Sequence, residues 1–260
     1  LKVNNKVINA LKDYPAYPMD RILALYEKRD FINSNEWLTI QFSRGCKFKC
    51  LYCSYPLLGV KGDYTASADS FYEQMMDSYD KFGVKNYIVA DETFNDSSEK
   101  IRKYADAVDR MPFDPWFSGF IRGDLLVSRP QDWEHLSRMG FLGQFYGIET
   151  TNPTTAKAIG KGMHPDKLLP GILEARQYFK NNGRKLYRGT IAIIIGLPFE
   201  TEETLAKTFD WLIKNWQGEC VEIQALDINI TDSERALSTI GKDYEKWGYR
   251  RSNKELNQID

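Results

Sequence analysis

The sequence is poor in the features that define several classes of protein. Its 260 residues contain only four cysteines, far too few for a disulfide-stapled scaffold. No apolar run approaches the roughly 18 residues that a transmembrane helix needs, and no charged-then-apolar signal segment opens the chain. These features favour a reducing compartment, and the cytoplasm is the expected location.

Net charge and histidine are also nearly absent. The 35 lysines and arginines almost balance the 36 aspartates and glutamates, so no nucleic-acid or membrane-surface partner is indicated. The only two histidines, His135 and His164, have helical or loop context typical of packing or surface residues. The chain starts at Leu1 without an initiator methionine, so an excerpt of a longer protein is one expectation.

Short β-rich runs alternate with longer helical patterns from Trp37 onward. Strand character falls at 37–43, 85–90, 116–121, 143–148, 187–196 and 220–228, and helical patterns at 66–82, 97–110, 130–140, 165–179 and 202–216. Six such alternations predict parallel strands with right-handed crossovers, in either a barrel or an open doubly wound sheet. We expect a core at 36–229, a mostly helical lead-in at 1–35 and a polar extension at 230–260. That extension either caps the core or contributes to substrate binding.

Chemically distinctive residues follow the predicted strands. The carboxyl ends of parallel strands are where α/β folds place their active sites. The residues at these positions are a cysteine-rich loop, then Asp91 and Glu92, Arg122 and Asp124, Glu149 and Thr150, and finally Gly196, Pro198 and Glu200. The sequence therefore predicts that they converge on one rim.

Three of the four cysteines, Cys46, Cys50 and Cys53, lie within eight residues. An odd number of close thiols argues against disulfides, and a structural zinc site needs a fourth ligand. Cys220 is expected at the opposite end of the sheet, because it begins the last strand. An iron–sulfur cube held at three irons, with the fourth open, fits this set best. Zinc bound by three cysteines and water, and an iron–sulfur electron carrier, are the alternatives.

The segment Cys46-Lys-Phe-Lys-Cys50-Leu-Tyr52-Cys53 resembles the CxxxCxΦC motif of the radical S-adenosylmethionine (SAM) superfamily, with the similarity extending over about 37–228. The resemblance implies a partial (β/α)6 TIM-like barrel. It implies a [4Fe-4S] cluster on the three cysteines, with SAM chelating the remaining iron. It also implies reductive cleavage of SAM to a 5′-deoxyadenosyl radical, which abstracts hydrogen from an unknown substrate. An external one-electron reductant such as flavodoxin or ferredoxin follows from the same resemblance.

Two parts of the motif pattern concern the methionine and adenine ends of SAM. Tyr52 occupies the aromatic position of the cysteine motif and is expected near the adenine. "VADETF" stands where the family often has a Gly-Gly-Glu that binds the SAM amino group. Because the glycines are missing, Asp91 and Glu92 compete for that role, with Glu92 favoured.

The later strands carry three further similarities. "GIET" resembles a ribose-binding motif, which assigns Glu149 to the ribose hydroxyls. "IIGLP" resembles the motif beside adenine, which places Ile194 and Gly196 there. Arg122 either binds the SAM carboxylate or a substrate anion, or forms a structural ion pair.

"SRGCKFKC", "DETF", "GIET" and "GLPFET" together are most similar to the radical SAM class that often carries an N-terminal cobalamin-binding domain. This chain has no D-x-H-x-x-G cobalamin signature. Cobalamin is therefore expected only if a cobalamin-binding domain precedes this chain in a longer protein. A cobalamin-dependent methyltransferase or cyclase is the alternative within the family.

Overall fold

A computed structural model describes residues 2–3, 6–7, 19–21, 26–30, 32–53, 64–226 and 238–250. In these residues the core is a six-stranded parallel sheet, with strands β1 (Trp37–Ile40), β2 (Asn86–Val89), β3 (Trp116–Ile121), β4 (Phe141–Glu149), β5 (Arg188–Ile195) and β6 (Cys220–Ala225). Within these ranges, no helix has both the length and the apolar character to cross a membrane.

Within the described part of the chain, eight α-helices follow or connect the strands. They are α1 (Ala68–Phe82), α2 (Ser98–Val108), α3 (Gly123–Ser128), α4 (Asp132–Arg138), α5 (Pro153–Ala158), α6 (Pro165–Asn182), α7 (Glu202–Asn215) and α8 (Thr239–Lys242). Local sequence sets several boundaries. The Ser67 hydroxyl accepts a hydrogen bond from the Ser70 N–H to start α1, and Gly83 ends it in the left-handed conformation at φ +70°.

The strands lie side by side in chain order, from β1 at one edge to β6 at the other, and all pairs are parallel. A doubly wound sheet would reverse direction at a switch point. The uninterrupted order therefore gives the partial barrel expected from the family resemblance and excludes the open doubly wound alternative.

The two faces of the sheet differ in burial. Tyr87 and Phe117 point to the helix-covered face, are fully buried and pack in the main hydrophobic core. Their strand neighbours Ile88 and Phe120 are 44% and 48% exposed. Since side chains alternate along a strand, the second set lines the concave side of the partial barrel.

Some predicted boundaries differ from the structure. The first strand ends at Ile40, because Ser43–Arg44 leaves the sheet and pairs with Tyr64–Thr65. The helix predicted from Pro130 to Gly140 spans only Asp132–Arg138. The short helices α3 and α5 were not predicted, since six residues are too few to show a helical period.

The lead-in and the tail are described only in part. Among the described residues before Asn35 are two two-residue strands, Lys2–Val3 and Lys6–Val7, and 3-10 turns at Met19–Arg21 and Lys28–Asp30. The prediction of a mostly helical lead-in falls largely outside the described residues. So do the end of the sixth predicted strand, beyond residue 226, and the parts of the predicted polar extension at 230–237 and 251–260.

Candidate functional site

A cavity of about 580 Å³ opens at the carboxyl ends of the strands. Eight of the ten predicted site residues line it: Cys46, Cys50, Tyr52, Cys53, Glu92, Arg122, Glu149 and Ile194. Asp91 and Gly196 do not line it. The structure thus brings together residues from the cysteine loop and from the ends of β2, β3, β4 and β5.

The cysteine loop is held by backbone hydrogen bonds. The Cys53 N–H donates to the Cys50 carbonyl at 3.2 Å, and the Leu51 N–H donates to the Ile159 carbonyl at 3.1 Å. Cys50 is buried, with 7% of its surface exposed, whereas Cys46 and Cys53 are half-buried. The three cysteines therefore line the cavity from one short loop, which is anchored to the segment after α5.

Arg122 connects this loop to β3. Its guanidinium forms two hydrogen bonds with Asp124, at 2.7 Å and 2.9 Å, and Nη1 donates to the Cys50 sulfur at 3.4 Å. The guanidinium carbon also lies 3.6 Å from the centre of the Phe48 ring. The ion pair considered from sequence is present, and it directs one N–H of Arg122 at a thiol of the motif.

Glu149 is the centre of a second cluster. Its Oε1 accepts hydrogen bonds from the Tyr52 hydroxyl at 2.7 Å and from Lys161 Nζ at 3.0 Å. Lys161 Nζ also donates to the Gly147 carbonyl at 2.8 Å. The backbone of Glu149 is left-handed, with φ +68°, next to a register shift between β4 and β5. Such a conformation is unfavourable for a non-glycine residue and is typical of functional sites.

The Tyr52 hydroxyl stays protonated in this environment. Burial raises its pKa well above the ordinary range, and the negative charge of Glu149 adds to the increase. Tyr52 is therefore a permanent hydrogen-bond donor to Glu149 at physiological pH.

Asp91 and Glu92 have different environments. Asp91 is fully buried and accepts hydrogen bonds from the N–H groups of Phe42 and Ser43 and from the Ser43 hydroxyl, at 2.8, 2.9 and 2.6 Å. It thereby ties the end of β1 to the end of β2. Glu92 lines the cavity instead. Partial burial raises the Glu92 pKa, and the neighbouring charge of Asp91 raises it further.

Gly196 lies in the turn after β5 rather than in the cavity wall. Its φ of +86° is in the region that favours glycine. Its N–H donates to Glu200 Oε2 at 2.9 Å, and the Leu197 N–H donates to the same oxygen at 3.0 Å. Glu200 thus shapes the turn, and Ile194 is the member of this motif that faces the cavity.

Several cavity residues were not singled out from sequence: Thr93, Phe120, Phe145, Lys161, Glu222 and Gln224. The alternation of side chains along a strand could have indicated the strand members of this group, since they project to the same face as the predicted residues. No such signal was available for Lys161, because it belongs to the connection between α5 and α6.

The three motif thiols suit an iron–sulfur cluster. Thiolates are the protein ligands of such clusters, and a cluster distributes them over different irons. Among the residues that the structure describes, no three His, Cys, Asp or Glu side chains are grouped closely enough to hold a single metal ion. Cys220 starts β6, is exposed and is absent from the cavity lining.

Comparison with known proteins identifies the family of the chain. The family model described as the radical SAM superfamily matches residues 40–212. An uncharacterized methyltransferase of Pyrococcus horikoshii is 22% identical over 204 residues, which is 78% of this chain and 41% of that protein. An anaerobic magnesium-protoporphyrin IX monomethyl ester cyclase of Synechocystis is 27% identical over 173 residues, 65% of this chain and 34% of that protein. The chain thus spans less than half the length of these two relatives.

Solved structures share the fold. The radical SAM methyltransferase TsrM of Kitasatospora setae superposes with a TM-score of 0.64 at 14% identity, covering 87% of this chain and 40% of that one. The cobalamin-dependent radical SAM enzyme OxsB gives 0.60 at 17% identity, covering 93% and 33%. The coproporphyrinogen III oxidase HemN of Escherichia coli gives 0.52 at 14% identity, covering 82% and 51%. At these identities the likeness concerns the fold.

Proposed function

The chain belongs to the radical SAM superfamily, and on this premise we propose that it is a SAM-cleaving enzyme that binds a [4Fe-4S] cluster through Cys46, Cys50 and Cys53. When bound, the cluster supplies the electron that cleaves SAM into methionine and a 5′-deoxyadenosyl radical, which then abstracts hydrogen from a substrate. The observation that carries this proposal is the convergence of the three motif cysteines with Glu92 and Glu149 on one cavity.

The chain's own residues bind and orient SAM. Glu92 is the acceptor for the SAM ammonium, because Asp91 has its oxygens engaged by backbone and serine donors. Oε1 of Glu149 is occupied by Tyr52 and Lys161, so Oε2 is the oxygen left to accept a ribose hydroxyl.

Apolar side chains form part of the cavity wall. Ile194 offers apolar surface to the adenine from β5. Phe120 and Phe145 face the same cavity with their rings 5.0 Å apart at 77°. These walls keep water away and hold a substrate C–H close to the reactive carbon, which is the protein's contribution in cofactor chemistry.

Anaerobic reconstitution with iron and sulfide, followed by assay of 5′-deoxyadenosine, tests the proposal. A brown protein that releases 5′-deoxyadenosine from SAM is expected. A brown protein inert toward SAM would instead indicate an electron carrier. A colourless protein that retains zinc would indicate a metal-stabilised binding module.

The relatives favour one more specific reaction as a second candidate. The two matched curated proteins are named as a methyltransferase and a cyclase, and the similar structures of OxsB and TsrM contain cobalamin. We therefore propose cobalamin-dependent methyl transfer or ring formation for a longer protein that includes this chain. Expression of the complete gene product with cobalamin and methyl-labelled SAM tests this. Label retained in methionine, with 5′-deoxyadenosine as the only turnover product, would exclude methyl transfer.

The proposed chemistry also requires an electron donor and a reducing compartment. A cluster that must be reduced needs an external one-electron donor such as flavodoxin or ferredoxin, and the reducing cytoplasm supplies both. Replacing a chemical reductant by reduced flavodoxin in the 5′-deoxyadenosine assay tests the partner.

A further inference from the structure

The C-terminal residues 238–250 lie against the rim of the cavity. The Ser238 hydroxyl accepts a hydrogen bond from the Gly241 N–H at 3.0 Å and caps α8. A 3-10 turn, Tyr244–Trp247, follows, and Gly248 then adopts a left-handed conformation at φ +86°. This compact segment, which we call the C-terminal strap, contacts two separate loops of the barrel.

The first contact is with the cysteine loop. The Ile240 N–H donates to the Leu51 carbonyl at 3.1 Å, and Leu51 lies between Cys50 and Cys53. The Ile240 side chain is fully buried and packs with Ile159 and Leu197. The strap is therefore fixed to the segment that presents two of the three motif thiols.

The second contact is with the loop after β5. The Tyr249 hydroxyl donates to the Gly196 carbonyl at 2.6 Å. The Trp247 ring lies 6.2 Å from the Phe199 ring at 79°. Phe199 is 60% exposed and left-handed at φ +66°, an unfavourable conformation that needs support from its surroundings. The strap thus supports the turn that follows the cavity-facing Ile194.

These contacts reach the cavity wall through one apolar cluster. Ile159, Leu197 and Ile240 form its buried part, and Tyr52, Ile194 and Leu226 are partly buried against it. The latter three also line the cavity. The strap consequently packs on the outer side of a wall whose inner side faces the ligand.

We infer that the C-terminal strap clamps the cysteine loop to the β5 loop and thereby sets the geometry of the SAM pocket, with Ile240 and Tyr249 as positioning residues. This inference rests on the proposed function, because that proposal identifies SAM as the ligand of the cavity. It extends that function by giving a SAM-binding role to residues that lie outside the matched family region, 40–212.

Tyr249→Phe tests the second contact, with Tyr244→Phe as its matched control. Tyr244 lies in the same strap, and its hydroxyl donates to its neighbour Glu245 at 3.3 Å and to no other described residue. In the reconstituted protein, Tyr249→Phe is expected to raise the dissociation constant of SAM about three- to tenfold, the effect of one lost hydrogen bond. The KM for SAM rises by the same factor, while kcat at saturating SAM stays unchanged.

Two outcomes of this experiment would overturn the inference. One is a SAM dissociation constant of Tyr249→Phe equal to that of Tyr244→Phe. The other is a lower kcat at saturating SAM with unchanged SAM binding.

Hydrogen exchange tests the clamp in protein without cluster or SAM. Ile240→Ala is expected to speed amide exchange in both 46–53 and 194–200, whereas Ile240→Val stays close to the wild type. Faster exchange confined to 238–250 would contradict the clamp.

If Ile240→Ala does not fold, Tyr249→Phe replaces it in the same exchange measurement, with faster amide exchange expected at 194–200. A wild-type protein that fails to cleave SAM would contradict the proposed function. The exchange experiment would still test the clamp in that case, because amide exchange is measured without cluster or SAM.

Discussion

The hydroxyl of Tyr52 donates a 2.7 Å hydrogen bond to Oε1 of Glu149, a residue 97 positions further along the chain. Tyr52 belongs to the cysteine motif, and Glu149 ends β4. A single hydrogen bond thus joins the loop that carries the thiols to the strand end proposed to bind the ribose of SAM. Several expected outcomes depend on this pair and its neighbours.

Replacement of Tyr52 by Phe removes the hydroxyl and keeps the ring. A buried carboxylate then loses one of its two side-chain donors, which is expected to cost about 1–3 kcal/mol of unfolding free energy. Denaturant unfolding measures this loss, and SAM affinity is expected to fall with it. Tyr64→Phe, at an exposed tyrosine, is the control. Equal stability of the two variants would contradict a structural role for the hydrogen bond.

Lys161→Met removes the cation from the same cluster. Both side chains of the Lys161–Glu149 pair are only 9% exposed, so the carboxylate is left buried without its countercharge. Loss of one partner of a buried pair costs about 3–5 kcal/mol. Denaturant unfolding should show this loss, whereas Lys157→Met, at an exposed lysine of α5, should show none. The double variant Lys161→Met/Glu149→Gln is expected to recover part of the lost stability; full additivity of the two changes would argue against direct coupling.

Single replacement of Cys46, Cys50 or Cys53 by Ala is expected to abolish both bound iron and SAM cleavage, because a three-thiolate site loses a ligand. Cys220→Ala should retain both, since Cys220 is exposed at the start of β6 and outside the cavity. Iron and sulfide analysis with the 5′-deoxyadenosine assay measures the outcome. A folded Cys220→Ala protein without cleavage would refute the ligand assignment.

The pH dependence of stability should report on Glu92. Its folded-state pKa is raised by partial burial and by the charge of Asp91. A raised carboxyl pKa favours the folded state in the protonated form, so this contribution is present below pH 4.5 and is lost as pH rises through the folded pKa. Glu92→Gln is therefore expected to be more stable than the wild type at pH 7, with the difference vanishing toward pH 4.

Glu92→Gln should lower the affinity for SAM even though it raises the stability of the fold. At pH 7, Glu92→Gln is expected to bind SAM more weakly, because the ammonium loses a charged acceptor. Unfolding curves over pH 4–8, together with SAM binding at pH 7, measure both effects. Unchanged SAM binding by Glu92→Gln would refute the role of this carboxylate.

Much of the fold was predictable from local pattern. The third strand was predicted at Trp116–Ile121, its observed range, and the other strands of the sheet at nearly their observed positions. Hydrophobic alternation and the glycine stop after α1 are local signals, so a single sequence reveals them. The six-residue helix α5 gives no comparable signal.

The roles of adjacent acidic residues could not be separated in this way. Asp91 and Glu92 are neighbours, and sequence alone kept both as candidate acceptors for the SAM ammonium, with Glu92 favoured. The choice depends on Phe42 and Ser43, whose donors occupy Asp91 from a segment 49 and 48 residues earlier in the sequence. Lys161 was missed for a related reason, since its contact with Glu149 arises only when the α5–α6 connection folds back over β4.

The sequence by itself determined the spacing of the three motif cysteines and the alternation of strands with helices, because ligand spacing and hydrophobic period are properties of neighbouring residues. The side-by-side order of the strands, which separates a partial barrel from an open doubly wound sheet, came from the tertiary structure. Only the tertiary structure decided which strand-end carboxylate faces the cavity, which lysine neutralises Glu149, and that the C-terminal strap packs on the cysteine loop. Those relations depend on burial and on contacts between distant segments, and such contacts exist only once the chain has folded.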